Sequence, residues 1–214
     1  DSKQIGHAQG FRDVDAELRL QSAFGLQTYD SIRALDFLSG LDGVDPKRIA
    51  VTGASGGGTQ TFILCGIDDR PAVAFPAVMV STAMQGGCVC ENATLLRVGT
   101  GNIEFAALTA PRPLGMTGAN DWTIDIETKG LPELKALYAA LGAPDLVDAR
   151  CYPHFDHNYN QVSRERMYAW VNRHLKLGFP EPIEEMPFEP IPPNELSVWD
   201  AEHPLPADAV DAAG

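Results

Sequence analysis

The sequence predicts an α/β fold, a mostly parallel sheet with helices on both faces. Three observations carry that expectation. Segments of helical and of strand periodicity alternate along the chain. A glycine-rich turn, Gly53-Ala54-Ser55-Gly56-Gly57, stands between a strand and a helix. Loops bearing acids and histidines follow the later strands, where parallel sheets form their binding crevices.

Between residues 20 and 41, Tyr29, Ile32, Leu35 and Leu38 recur at helical spacing, and Gly40 and Gly43 close the segment. Residues 49–52, Ile-Ala-Val-Thr, read as a short strand and 59–67 as a helix. Residues 73–80 read as a second strand, although Pro76 fits poorly inside a paired strand. Residues 83–104 form a long polar excursion. A third strand follows Pro111-Arg112-Pro113 over 114–117, and a helix opened by Pro132 runs over 132–141. Residues 147–152 are a fourth strand. The last helix opens at Ser163 and carries Met167, Trp170, Val171 and Leu175 on one face.

The composition changes at Phe179. Eight of the 16 prolines and nine acidic residues, with no Lys or Arg, lie beyond it. Such a stretch cannot build its own core. The division is therefore a domain over 1–178 and an acidic, proline-rich extended tail over 179–214, with Phe188, Leu196, Val198 and Trp199 as side chains that could pin it to the domain and a disordered end as the alternative.

A length of 214 residues suits one domain with a sizeable core. No apolar run reaches the roughly 18 residues that a membrane helix needs. A net charge of −13 disfavours nucleic acid and anionic lipid as partners. Four cysteines, Cys65, Cys88, Cys90 and Cys151, are too few for a disulfide scaffold and read better as idle thiols than as a disulfide.

Gly53-Ala54-Ser55-Gly56-Gly57 is a G-x-S-x-G turn in strand–turn–helix context. A nucleophile on so tight a turn stands clear of the sheet, and only small neighbours fit around it. The following helix points its positive end at the site, and the Gly56 N–H is the natural first oxyanion donor. Gly58-Thr59-Gln60 lacks the lysine of a phosphate loop, and the spacing is not that of a dinucleotide fingerprint.

A serine hydroxyl is a weak nucleophile and needs a base, which in turn needs an orienting carboxylate. Asp121 follows the third strand and is the preferred acid, with Asp125 and Glu91 as rivals. His157, deeper in the loop after the fourth strand, is the preferred base over His154. His7, His174 and His203 lie outside these loops and suit surface or packing roles. A metal site on His154, Asp156 and His157 is the weaker use of the same residues, so neither metal nor cofactor is expected.

Several runs together resemble the α/β-hydrolase superfamily, and within it the acetyl xylan esterase-like and dienelactone-hydrolase-like group. They are 44–49 (Val-Asp-Pro-Lys-Arg-Ile), 51–61 around Ser55, Met84-Gln85-Gly86-Gly87-Cys88-Val89-Cys90-Glu91-Asn92, Ala110-Pro111-Arg112-Pro113, Asn120-Asp121-Trp122-Thr123 and His157-Asn158-Tyr159-Asn160. The resemblance covers most of 20–178, and 196–200 with His203-Pro204 looks like the family's ending. It implies Ser55 as nucleophile, His157 as base, Asp121 as acid and a two-step acyl-enzyme route without a cofactor. Members have several strands and a helix before the elbow, whereas only 54 residues precede Ser55 here. The early strands and the second oxyanion loop are therefore expected to lie outside this chain, which reads as the carboxyl-terminal part of a longer protein.

The function expected is that of a serine carboxylic-ester hydrolase on small acyl esters of carbohydrates such as acetylated xylan. Glu91, Trp122 and Tyr159 are candidate sugar contacts, equally readable as capping for Glu91 and as packing for the two aromatics. The alternatives are a glucuronoyl-esterase-like or peptidase-like serine hydrolase and a non-catalytic α/β binding domain. A member acting on polysaccharide would work outside the cytoplasm, secreted or periplasmic.

Overall fold

The computed structural model describes residues 13–83, 86–87, 90–93 and 95–209. His7, Met84, Gln85, Cys88 and Val89 lie outside the described residues. Two helices come first, α1 (Val14–Leu18) and α2 (Ala23–Ser39). Four strands then alternate with helices: β1 (Ala50–Ala54), α3 (Gly56–Ile67), β2 (Val73–Ala77), α4 (Asn102–Ala107), β3 (Leu114–Ala119), α5 (Leu131–Ala140), β4 (Val147–Tyr152) and α6 (Gln161–Leu175).

The strands form one parallel sheet in the order β1-β2-β3-β4, with Thr52 opposite Phe75, Ala77 opposite Thr117 and Ala119 opposite Tyr152. A right-handed crossover that always advances in one direction puts its helix on the same face each time. Accordingly α3, α4 and α5 share one layer, where Phe62, Ile103, Leu134 and Tyr138 pack on Ala74, Leu114, Met116 and Ala149. Alternate residues of β2 face the other way, and Val73 and Phe75 bury Trp170 and Leu175 of α6. Gly115 on β3 is required there, because a Cβ would stand 2.6 Å from the Phe75 ring and 2.9 Å from that of Trp170.

The sheet agrees with the sequence reading, and the departures are local. The helix read from Tyr29, Ile32, Leu35 and Leu38 is present, but only part of that stripe packs: Leu35 is buried with Ile32 beside it, while Tyr29 and Leu38 are exposed. Leu35 meets Ile49 and Leu64, so α2 lies beside α3. α3 starts at Gly56 rather than residue 59. α6 starts at Gln161, where the Asn160 side chain accepts from the Ser163 N–H at 3.1 Å and caps the helix. Pro76 is tolerated in an inner strand because β2 and β3 pair only at Ala74–Leu114 and Ala77–Thr117, so no ladder bond to β3 is needed from residue 76.

Beyond α6 the described tail has no regular element except a short 3₁₀ turn, Pro193–Leu196. Phe188, Leu196, Val198 and Trp199 do not pin it, since all four are exposed. Polar contacts hold its first part instead. Phe179 exchanges two hydrogen bonds of 3.0 Å with the Asn172 side chain, and Arg164 and Tyr168 bind Glu185. Cys90 is disulfide-bonded, against the expectation of an idle thiol. Cys65 and Cys151 are free and buried, and burial pushes the Cys65 thiol up to about 12.

Candidate active site

Ser55 occupies the turn between β1 and α3 with φ 56° and ψ −122°, a conformation that costs a non-glycine residue of order 1–3 kcal/mol. The turn is fixed from both sides. The Ser55 N–H donates to Ala77 O on β2 at 3.1 Å, and Ser55 O accepts from the Thr59 N–H at 3.0 Å. A Cβ on Gly53 would lie 2.5 Å from Gly57 O, so the chain can fold back this sharply only with glycine at 53. A serine at a helix start usually caps it with its own hydroxyl. Here no side chain caps α3, so the Ser55 hydroxyl is not spent on the helix, and the first-turn amides, Gly56 among them, carry the helix's partial positive charge.

Asp121 lies just past the end of β3 and His157 in the loop after β4. Asp121 Oδ2 meets His157 Nδ1 at 2.7 Å. The Asp121 side chain is 5% exposed and that of His157 33%, an acid enclosed in protein against a ring that keeps one side open. Thr123 supplies two donors to the other carboxylate oxygen, its N–H at 2.7 Å and its hydroxyl at 2.5 Å. The two loops are tied again where the Asn120 N–H donates to Phe155 O at 2.8 Å. Asn158 and Asn160 shape the histidine loop through side-chain bonds to Asn160 N and Ser163 N. The structure thus brings Asp121 and His157 together. Ser55 stands at the same carboxyl end of the sheet, directly after β1.

The rivals sit differently. Asp125 pairs with Lys129 at 2.5 Å, and His154 packs against Phe155 with ring centroids 4.2 Å apart and the rings tilted by 46°. Glu91, expected to face the crevice, is buried, and its carboxylate accepts from the Gly87 N–H at 2.6 Å inside the excursion. Trp122 packs on the imidazole of His157, ring centroids 4.5 Å apart, and its carbonyl accepts from the buried Ser81 hydroxyl. The Tyr159 hydroxyl lies 2.6 Å from Thr52 Oγ1. Burial pushes the half-buried His174 below the ordinary histidine range, and His203 pairs with Asp200. Thr52, Ser81 and Thr123 were not singled out from sequence. Thr123, two residues after an expected acid, is the one that local spacing could have flagged, as a donor back to that acid. Among the described residues no group of three or more His, Cys, Asp or Glu is arranged to hold a metal ion. No helix among them is long and apolar enough to cross a membrane.

A tight strand–serine–helix turn, a parallel sheet, and an acid and a histidine on later loops in that chain order are now in place. The chain has the α/β-hydrolase fold. Solved esterases share it. The structure described as Methylesterase BT1017 superposes with a TM-score of 0.68 at 31% identity, over 72% of this chain and 36% of that one. A carbohydrate esterase family 15 glucuronoyl esterase from Caldicellulosiruptor kristjansonii gives 0.61 at 18% identity, over 87% of this chain and 58% of that one. The glucuronoyl esterase catalytic domain from Hypocrea jecorina gives 0.62 at 16%, over 95% and 67%. Among curated proteins, YtaP of Bacillus subtilis (strain 168), named only provisionally as a hydrolase, is 31% identical over 136 residues, 57% of this chain and 44% of YtaP. The chain therefore spans less than half the length of YtaP and of the methylesterase. No family model matches it.

Proposed function

We propose that this α/β-hydrolase chain carries the catalytic set of a serine carboxylic-ester hydrolase acting on carbohydrate esters, with Ser55 as nucleophile, His157 as base and Asp121 as the acid that orients it. The observation that carries the reading is the 2.7 Å bond from His157 Nδ1 to the enclosed Asp121 carboxylate, at the same sheet end as a serine held at positive φ. With Nδ1–H donated to Asp121, the lone pair on Nε2 is free to take a proton.

In the proposed mechanism His157 Nε2 accepts the Ser55 proton as Oγ attacks the ester carbonyl. The carbonyl π electrons move onto oxygen, and backbone N–H groups led by Gly56 stabilise that oxyanion. The oxyanion collapses, the alcohol leaves with the proton from His157, and an acyl-Ser55 ester remains. Water then repeats the two steps, returning the acid and free Ser55. Asp121 keeps its negative charge throughout and stabilises the imidazolium.

The structural neighbour described as a methylesterase supports an ester as substrate, and those described as glucuronoyl esterases support a carbohydrate ester. The glucuronoyl esterase descriptions also favour the uronate-ester alternative over deacetylation. The test is labelling with a fluorophosphonate probe and peptide mapping, followed by hydrolysis of acetylated xylan against methyl glucuronate. One adduct on Ser55, absent in Ser55→Ala, is expected. A wild-type protein that folds and takes no label at Ser55 would overturn the reading, and the substrate arm decides between acetyl and uronate esters.

A further inference from the structure

β4, which delivers His157, is the fourth strand of the sheet, and β1, which delivers Ser55, is the first. Three strand spacings of about 4.8 Å put roughly 14 Å between them. Asp121, at the end of β3, anchors the histidine loop only one strand inward. To serve Ser55 the loop must reach back over β2 to β1, and something must hold it there.

Tyr159 makes that reach. Its hydroxyl lies 2.6 Å from Thr52 Oγ1, three residues before Ser55 on β1. Thr52 donates its one hydroxyl proton to Phe75 O on β2 at 2.8 Å, so it accepts from Tyr159. The chain of bonds runs Tyr159 to Thr52 to Phe75 and joins the histidine loop to both strands beside the elbow. The Tyr159 carbonyl is itself held by Arg164 of α6. Burial raises the Tyr159 phenol above its ordinary value, so it stays a donor across neutral pH.

We infer that Tyr159 and Thr52 are positioning residues, a latch that fixes the His157 loop over β1 so that the imidazole and Ser55 meet. The inference rests on the esterase reading and replaces the sugar contact expected for Tyr159 from sequence. Nothing in the bond touches substrate, so its loss should lower kcat and leave KM alone.

The experiment measures kcat and KM on a p-nitrophenyl ester, and the fluorophosphonate labelling rate of Ser55, for wild type, Tyr159→Phe, Thr52→Val, Thr52→Ser and the Tyr159→Phe/Thr52→Val pair. Tyr159→Phe and Thr52→Val should each lower kcat and the labelling rate about 10- to 100-fold, as small misplacements of a catalytic group do, with KM within about twofold. The double variant should lose no more than the worse single one, because both remove one bond. Thr52→Ser keeps the hydroxyl and should restore most of the rate. Thermal unfolding checks that each variant folds, and Thr52→Val with Thr52→Ser carries the test if Tyr159→Phe does not. Wild-type rates in both single variants, losses that multiply in the pair, or a raised KM with unchanged kcat would overturn the latch. Absence of labelling in the wild type would instead sink the esterase reading itself.

Discussion

Thr123 gives two donors to one oxygen of Asp121, and this decides which oxygen His157 receives. Oδ1 takes the Thr123 N–H at 2.7 Å and the Thr123 hydroxyl at 2.5 Å, leaving Oδ2 for Nδ1. The same hydroxyl accepts from the Ala119 N–H at 3.1 Å, so the fully buried Thr123 stitches the end of β3 to the acid. Thr123→Val keeps the shape, removes one carboxylate donor and strands the Ala119 amide. Leaving a buried donor unpaired costs about 1–3 kcal/mol. A lower thermal midpoint and a kcat about tenfold down are expected, with Thr123→Ser close to wild type in both. Steady-state kinetics on the three proteins checks this, and equal rates in the Val and Ser variants would show that the hydroxyl does not orient the acid.

The elbow makes a prediction that separates two neighbouring glycines. A methyl on Gly53 would enter the backbone of Gly57 at 2.5 Å, whereas a methyl on Gly57 meets nothing within 4 Å. Gly53→Ala should cost about 1–3 kcal/mol by overpacking, or more if the backbone cannot shift. That corresponds to a melting-temperature drop of roughly 2–12 °C at this size. Gly57→Ala, in the first turn of α3, should be neutral or stabilising by up to about 1 kcal/mol through helix propensity. Scanning calorimetry of the two variants decides it. Similar melting temperatures would mean that the turn is looser than the structure describes.

Much of this was legible in the sequence because parallel βαβ units announce themselves by alternating periodicity and by the turn at Ser55. The loops holding Asp121 and His157 follow directly from strand ends. Long-range side-chain pairings were not legible. Nothing local ties Tyr159 to Thr52 across 107 positions, or Ser81 to the Trp122 carbonyl. For Glu91 the sequence left a sugar contact and a capping role equally open, and the choice depends on a turn inside the excursion, where its carboxylate accepts from the Gly87 amide. The apolar residues of the tail were misjudged because apolar character suggests burial. A proline-rich segment held by Asn172, Arg164 and Tyr168 does not need Phe188 or Trp199 buried.

Trp122 covers one face of His157 with ring centroids 4.5 Å apart, while its indole N–H is buried without a hydrogen-bond partner. The flat ring, not the N–H, is therefore what this position uses. Trp122→Phe loses no hydrogen bond and should retain kcat within about threefold, because an aromatic face still limits the imidazole. Trp122→Ala opens space beside the proposed base and should lower kcat by about tenfold or more. The Ser55 labelling rate reads both. Equal losses in Phe and Ala would point to the indole itself, as a substrate contact.

The tail clamp titrates in a defined window. Arg164 Nε donates to Glu185 Oε2 at 2.6 Å, a second guanidinium N–H reaches Oε1, and the Tyr168 hydroxyl adds a bond of 2.8 Å. The Arg164 pairing, then the Tyr168 bond, holds the Glu185 carboxyl at about 2 against an ordinary 4.5. A depressed carboxyl stabilises the folded form fully above its ordinary value, and that contribution is lost as pH falls through the depressed one. Wild type should therefore exceed Glu185→Gln in thermal midpoint by a constant amount above pH 4.5, and the difference should shrink to nothing towards pH 2. Arg164→Ala should return the Glu185 carboxyl, followed by its ¹³C shift, towards 4.5. A wild-type titration midpoint already at the ordinary value would show that the tail is not clamped at this residue.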